Sequence, residues 1–372
     1  MSKSKVYFTN MRTTIDINLL GKLDRLMDKA GFCDIDFEGK FSAIKIHFGE
    51  PGNLSFLRPN YAKTVADKIK SLGGKPFLTD CNTLYVGGRK NALDHMESAY
   101  LNGFTPYSTG CHVIIADGLK GTDEVEVPVD GELVSSAKIG RAVMDADVFV
   151  SLTHFKGHEL TGFGGAIKNI GMGCGSRAGK MEMHCDGKPE VEEALCRGCG
   201  TCMKQCAQDA IFMWGKPRRA SIAHNKCVGC GRCIGACAFD AISSDMNSAN
   251  EHLAIKMAEY ACAVLKDRPQ FHISVVADVS PNCDCHAEND VPIIQNVGLF
   301  ASFDPVALDM ACVDACNRQP ILHGSVMDER EDKHDHFTTV HPTTNWRDTL
   351  KHAEKLGLGS MEYELVTLDI RR

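Results

Sequence analysis

The sequence predicts an α/β fold: a mostly parallel sheet with flanking helices, interrupted by a small α+β insert. Three observations carry this reading. Short apolar runs alternate with amphipathic helical segments up to residue 153. The same alternation resumes after residue 246. Between them lies a segment built on two copies of one cysteine spacing. The chain therefore divides into a first α/β part at 1–189, an insert at 190–245 and a return part at 246–372.

Val6–Phe8 reads as a short strand, and Asn18–Ala30 as a helix with Leu19, Leu20, Leu23, Leu26 and Met27 turned inward. Ala43–Phe48 is a strand, followed by a helix from Pro59 to Leu72 that stops at Gly73-Gly74. A strand at Pro76–Thr79, a helix near Arg89–Leu101 and a strand at Val113–Ala116 come next. Val125–Val129 alternates, Ile139–Ala146 reads as a helix, and Val148–Thr153 is a strongly apolar strand. Residues 157–179 break the pattern: rich in glycine, they read as a long functional loop. After the insert come a helix at Ala249–Leu265, strands at His272–Val279 and near Val297–Ala301, a helix at Pro305–Cys316, and a final helix–strand within Trp346–Thr367.

The 372 residues are 44% hydrophobic and 24% charged, ordinary values for a globular chain with ample core. A net charge of −7 without a basic run argues against nucleic acid as the main partner. No apolar stretch is long enough to span a bilayer, and MSKSKVYFTN has no apolar signal region, so a cytoplasmic location without a membrane partner is expected. Eighteen cysteines are the outlier, and in a reducing compartment they point to metal ligation or thiol chemistry rather than to disulfides.

Cys196, Cys199, Cys202 and Cys206 are spaced C-x2-C-x2-C-x3-C, and Cys227, Cys230, Cys233 and Cys237 repeat that spacing. Both copies carry glycines between the cysteines and an Asp-Ala-Ile at 209–211 and 240–242. A 4Fe–4S cube needs four converging thiolates: three fit one tight loop, and the fourth comes from the other copy. Cys196, Cys199 and Cys202 should then share a cluster with Cys237, and Cys227, Cys230 and Cys233 one with Cys206. Zinc sites normally use separated cysteine pairs instead. The insert resembles the two-cluster bacterial ferredoxins, except that Ala207 and Ala238 stand where proline usually follows the fourth cysteine. Residues 190–245 hold seven Lys/Arg and six Asp/Glu, a near balance that suits an internal wire better than a free carrier.

Polar sets collect at expected strand ends, where open α/β sheets bind ligands. They are Lys45, His47, Gly49 and Glu50; Asp80 and Asn82, with Arg89 and His95 after them; His154, Lys156 and His158, then Gly164, Gly165, Lys168 and Asn169; and Cys283, Cys285 and His286. Each has a plainer reading: a capping turn for Asp80 and Asn82, satisfied buried rings for His47 and His95, a surface loop for the glycines. The glycine run is not a dinucleotide fingerprint, because no G-x-G-x-x-G follows the first strand. Cys283 and Cys285 stand in a turn-rich context in which both thiolates could converge on a third metal centre, with His286 or Cys174 as further candidates. Two ordinary reduced thiols are the alternative.

TDCNTLYVGGRKNALDH, GFGGAIKNIGMGCGSRAGKMEMH, the doubled cysteine motif, CDC and SFDPVALD together resemble the domain-of-unknown-function 362 family along essentially the whole chain. More locally, His154 through Gly173 is similar to the glycine-rich segment of nickel-pincer lactate racemases. His158, Lys168 and His184 match the spacing of that family's histidine, cofactor-holding lysine and metal-ligating histidine. The expectation is an iron–sulfur oxidoreductase or electron-transfer protein. Electrons would come from a ferredoxin or flavoprotein and reach a small anionic substrate or cofactor. Lys168, His158 and Asp80 are the candidate catalytic groups, and Lys45, His47, Asn82, Arg89, Gly164, Gly165 and Asn169 the candidate binding groups. A metal-dependent racemase or isomerase with structural clusters, and a non-catalytic electron or cluster carrier, are the alternatives.

Overall fold

The structure, a computed structural model, describes residues 3–84, 87–184, 189–206, 208–227, 233, 236–239, 241–243, 250–331 and 334–368. The strands are β1 (Ser4–Asn10), β2 (Phe41–Lys45), β3 (Lys75–Asp80), β4 (His112–Ile115), β5 (Glu124–Pro128), β6 (Ser136–Gly140), β7 (Val148–His154), β8 (Lys156–His158), β9 (Gly162–Gly164), β10 (Glu190–Val191), β11 (Ile211–Trp214), β12 (Arg219–Ile222), β13 (Ile242–Ser243), β14 (Gln270–Val276), β15 (Gly298–Ser302) and β16 (Tyr363–Thr367). The main helices are α1 (Leu19–Lys29), α2 (Pro59–Ser71), α3 (Ala92–Leu101), α4 (Ala166–Cys174), α5 (Arg177–His184), α6 (Asn250–Leu265), α7 (Pro305–Asn317) and α8 (Trp346–Lys355).

Eight strands form one sheet in the order β16-β1-β15-β14-β7-β2-β3-β4. Only β15 runs against both its neighbours, β1 and β14; every other pairing in the sheet is parallel. The predicted fold class is thus the observed one. Parallel sheets need cover on both faces, and every side chain of the central β7 is buried. One core packs Leu23, Leu26, Val65 and Ile69 of α1 and α2 against one face. The other packs Ile167, Ile170, Met257 and Leu308 of α4, α6 and α7 against the opposite face.

The chain moves outward from β2 to β3 and β4, then returns to the other side of β2 as β7 and continues to β14. That reversal leaves a crevice at the carboxyl ends of β2 and β7, the usual ligand position in such sheets. Register sets Lys45 beside Ser151 and Thr79, and His154 beside Val275, so the ends of β2, β3, β7 and β14 meet there.

Two local expectations are corrected. The helix expected at Ile139–Ala146 shortens to Arg141–Asp145, because Ser136–Gly140 pairs antiparallel with β5. The expected loop at 157–179 is ordered structure: the β8–β9 hairpin, then α4 and the start of α5. Glycine weakens a helix intrinsically, but here it permits close approach. A Cβ at Gly171 would overlap the Met257 carbonyl of α6, and one at Gly179 would overlap the Lys138 carbonyl of β6. Packing on neighbours makes these segments helical against their own propensity.

α4 is anchored from a distance. Asp309 on α7 accepts the backbone N–H groups of Ala166 at 2.7 Å and Ile167 at 3.0 Å. These donors in the first turn of α4 are therefore satisfied by the protein itself. Within the insert, β10 pairs with β13 and β11 with β12, separate from the large sheet.

Asp309→Ala should lower stability by about 1–3 kcal/mol, since it strands two buried donors; unchanged denaturant midpoints would contradict the anchoring role. Burial raises the Asp309 pKa to about 7, against the two backbone hydrogen bonds. Between about pH 4 and 7 the folded carboxyl holds a proton that the unfolded chain has lost, so this group's share of stability should fall as pH rises through that window. Asp309→Asn should flatten that slope in unfolding measured across pH.

Candidate functional site

The crevice is a cleft floored by the strand ends and closed on one side by α4 and α5. At its base the Lys45 ammonium lies 3.0 Å from Asp80 Oδ1 and 2.8 Å from Asn169 Oδ1, with Lys45 and Asp80 both buried. A buried charge survives only when paired and hydrogen-bonded, and here both conditions hold. Asn169 also donates to Thr153 Oγ1 at 3.0 Å, which ties α4 to β7. Gly173 makes room for the lysine: a Cβ there would stand 2.5 Å from Lys45 Nζ. Burial would raise the Asp80 pKa, but Lys45, then His95 and His47, outweigh it and hold the carboxyl below the usual range. Burial also pushes His95 down to about 3, so its ring is neutral.

A second buried network forms one wall. Arg89 Nε donates to Glu50 Oε2 at 2.7 Å, and Arg89 Nη1 is 2.8 Å from His47 Nε2. Asp284 Oδ2 lies 2.8 Å from His154 Nδ1 and 3.6 Å from Lys156 Nζ. Its pKa is lowered because His154 and Lys156 together overcome the larger opposing effect of burial.

Of the expected site residues, Lys45, His47, Asp80, Arg89, His158, Gly164, Gly165, Lys168 and Asn169 line this cleft. Asn82 does not: its backbone N–H and Nδ2 donate to Asp117 Oδ1 at 2.9 and 2.8 Å, which turns it into the β3–β4 edge. Asp80 takes Lys45 as its ion-pair partner rather than Lys168. Among the described residues none forms a hydrogen bond or ion pair with Lys168, whose side chain runs past Gly164. Its charge acts on Cys283.

Cys283 and Cys285 both line the cleft. Their sulfurs and a nitrogen of His158 lie within 4.8 Å of one another, as do donor atoms of Glu159, Cys285 and His286. Either group is compact enough to hold a metal ion. His286 thus shares a group with Cys285, whereas Cys174 joins neither; it is buried, and its carbonyl accepts from Cys81 Sγ at 3.3 Å. The hydrogen bond from Cys285 holds Cys283 well below the usual thiol range, helped by Lys168, Lys156 and His158 and opposed by burial. The same bond pushes Cys285 upward.

Lys180, Glu159 and Asp284 were not singled out from the sequence. Arg177, Lys180 and His184 follow helical spacing, but that signal is hidden in a segment whose composition reads as loop. Asp284 lies between two cysteines that draw attention first.

In the insert, Cys196, Cys199 and Cys202 line one small cavity together with Cys237 from the second copy. Backbone N–H groups of Ala220, Ala210 and Ala241 point at the sulfurs of Cys196, Cys206 and Cys237 at 3.4, 3.3 and 3.3 Å. Cys227 and Cys233 are described, while Cys230 lies outside the described residues.

This combination of a strand-end cleft, the glycine-bearing α4 and a cysteine-rich insert defines an α/β protein with metal-binding capacity. The model of the family Domain of unknown function (DUF362) matches residues 43–314, and the chain belongs to that family. A thylakoid-associated protein of Synechocystis sp. is 25% identical over 124 residues, which is 33% of this chain and 35% of that protein. Among solved structures, the lactate racemase apoprotein from Thermoanaerobacterium thermosaccharolyticum matches with a TM-score of 0.38 and 12% identity, over 74% of this chain and 51% of that one. A Thermotoga maritima protein matches with a TM-score of 0.40 and 11% identity, over 80% and 58%. The chain thus spans about a third of the curated relative and little more than half of each solved structure. Likeness at that level leaves the chemistry to the residues of the cleft itself. No helix among the described residues is long and apolar enough to cross a membrane.

Lys45→Ala should cost about 3–5 kcal/mol, because it strands the buried Asp80 carboxylate. Lys168→Ala should change stability by less than about 1 kcal/mol, since no partner among the described residues is lost. Thermal unfolding of the two variants side by side checks this, and equal losses would remove the distinction between a structural and an available lysine.

Proposed function

We propose that this protein is an iron–sulfur oxidoreductase that delivers electrons to an anionic substrate or cofactor held in the cleft. The observation that carries the reading is the convergence of Cys196, Cys199 and Cys202 with Cys237 on one cavity, with backbone N–H groups directed at the sulfurs. Four thiolates from two loops, hydrogen-bonded by amides, suit a 4Fe–4S cube better than a zinc ion. Cys227, Cys230 and Cys233 with Cys206 would hold a second. Such clusters, when bound, supply one-electron transfer. A ferredoxin or flavoprotein is the natural class of donor.

The protein's own groups account for substrate binding. Lys168 offers the cleft a cation with no ion-pair partner among the described residues, and Lys156 and His158 line the same cleft. Lys45 and Arg89 are committed to Asp80 and Glu50, so they fix the shape of the floor and wall rather than grip the ligand. A second reading, a metal-dependent isomerase with structural clusters, is favoured by one observation: His158, Lys168 and His184 all line the same cleft. Reduction consumes reductant when substrate is added, and isomerisation does not.

Anaerobically purified protein should contain about eight irons and eight acid-labile sulfides. Cys206→Ala should damage the cluster held by Cys227, Cys230 and Cys233, and Cys237→Ala the one held by Cys196, Cys199 and Cys202. Electron paramagnetic resonance of the reduced variants separates the two. Zinc in place of iron, or loss of the Cys196 cluster in Cys206→Ala alone, would sink this assignment.

A further inference from the structure

The two cysteines at the mouth of β14 have no part in the cluster-binding insert, yet they face the cleft. Cys283, Asp284, Cys285 and His286 form a turn closed by the His286 N–H on the Cys283 carbonyl at 3.2 Å. Residues two apart point away from each other in a strand, but this turn brings the two sulfurs within 4.8 Å of each other. Cys283 is buried and Cys285 half-buried, and both border the space that Lys168 enters.

The same atoms could surround an ion, and the orientation of His158 decides between the two possibilities. Its Nδ1 accepts the backbone N–H groups of Leu160 at 3.1 Å and Thr161 at 3.3 Å. A nitrogen that accepts two hydrogen bonds carries no proton, so the ring hydrogen sits on Nε2. With Nδ1 taken up by the backbone, the polar group His158 has left for the two sulfurs, which lie within 4.8 Å of a ring nitrogen, is Nε2–H. A metal-ligating histidine has the reverse pattern, with its lone pair toward the ion and its other N–H donated away. His158 is set to stabilise a thiolate.

We propose that Cys283 and Cys285 form a reversible dithiol–disulfide couple that reduces a small disulfide carrying carboxylate groups, held against Lys168. The thiolate of Cys283 attacks one sulfur of the substrate disulfide, which forms a mixed disulfide and expels the other half as a thiolate. Cys285 then attacks Cys283, releases the second half and closes the Cys283–Cys285 disulfide, its proton passing to the departing thiolate. Two electrons and one proton return the pair to thiolate and thiol. The oxidoreductase reading supplies those electrons, one from each cluster, and the proposal rests on it for that alone. A couple that takes two electrons is a fitting terminus for two one-electron carriers.

The experiment uses the full chain, prepared anaerobically and equilibrated in mixtures of reduced and oxidised dithiothreitol. Acid quenching, alkylation and peptide mass analysis then read the state of both thiols. A doubly alkylated peptide in reducing mixtures should give way in one step to an unalkylated internal disulfide. Two thiols that stay alkylated at every ratio would overturn the proposal. So would one bound metal ion per chain that disappears in the Cys283→Ser/Cys285→Ser variant. Next, Cys285→Ser is mixed with oxidised glutathione and should trap a mixed disulfide at Cys283; no adduct on a folded, cluster-bearing variant counts against it. Lys168→Ala should slow the wild-type reaction with oxidised glutathione roughly tenfold or more, the value of a charge-assisted contact. It should slow the reaction with uncharged 2-hydroxyethyl disulfide much less, by only the share that Lys168 contributes to the Cys283 thiolate, and equal slowing of both would reject the anion-binding role. A working thiol couple in protein without iron would end the cluster reading and spare this couple. Intact clusters beside inert thiols would do the opposite.

Discussion

The cleft depends on one buried charge pair, Lys45 with Asp80, at the point where the sheet reverses its winding. A lysine at the end of an interior strand is far from water, and its cost is offset only by a carboxylate and an amide oxygen in contact. Asp80 comes from the neighbouring strand and Asn169 from α4, so three elements must assemble before the charge is satisfied. The requirement runs in both directions: the pair holds the strand ends in register with α4, and the packing of α4 keeps water off the pair. Gly173 belongs to the same constraint, because any side chain there would press on the ammonium.

A division of labour among the basic residues follows. Lys45, Arg89 and Lys156 each face an acidic partner, and Lys180 donates to the Gly175 carbonyl at 2.6 Å. They form a rigid, internally neutralised frame. Lys168 projects from α4 beyond that frame, with its charge directed at the cleft and at Cys283. Preorganised walls and a projecting cation suit the recognition of a small anion, since little has to move on binding. The thiols are arranged on the same logic: His158 is oriented by two backbone N–H groups and so meets Cys283 as a donor.

α4 and α5 join the parts of the molecule. α4 carries Lys168 and Asn169, is tied to α7 through Asp309, and packs on α6 through Gly171. Arg177 and Ala178 of α5 border a second cavity with Cys237, while Lys180 and His184 on the same helix border the cleft. One short helix therefore borders both a cavity that reaches Cys237 of the insert and the candidate substrate site.

The sequence by itself determined the α/β class and most strand and helix positions, and nine of the ten candidate residues it singled out stand around the cleft. It could do so because strand ends and cysteine spacings are local patterns, visible wherever period and residue type coincide. Lys45, Asp80 and Lys168 were legible as charged residues beside apolar runs, but their pairing was not. Partner choice between Lys45 and Lys168 is a matter of three-dimensional distance. Residues 157–179 misled for a related reason: glycine content reads as loop, and only the carbonyls of Met257 and Lys138 in close approach make helices of it. Asn82 faces Asp117 instead of the cleft because its rotation is set by the β3–β4 edge, which no neighbour in sequence reports. Cys283 and Cys285 could be seen as a pair, but the direction of the His158 hydrogen bond that decides their chemistry depends on two backbone N–H groups. Their aim is fixed by the folded turn, and only the tertiary structure supplies it.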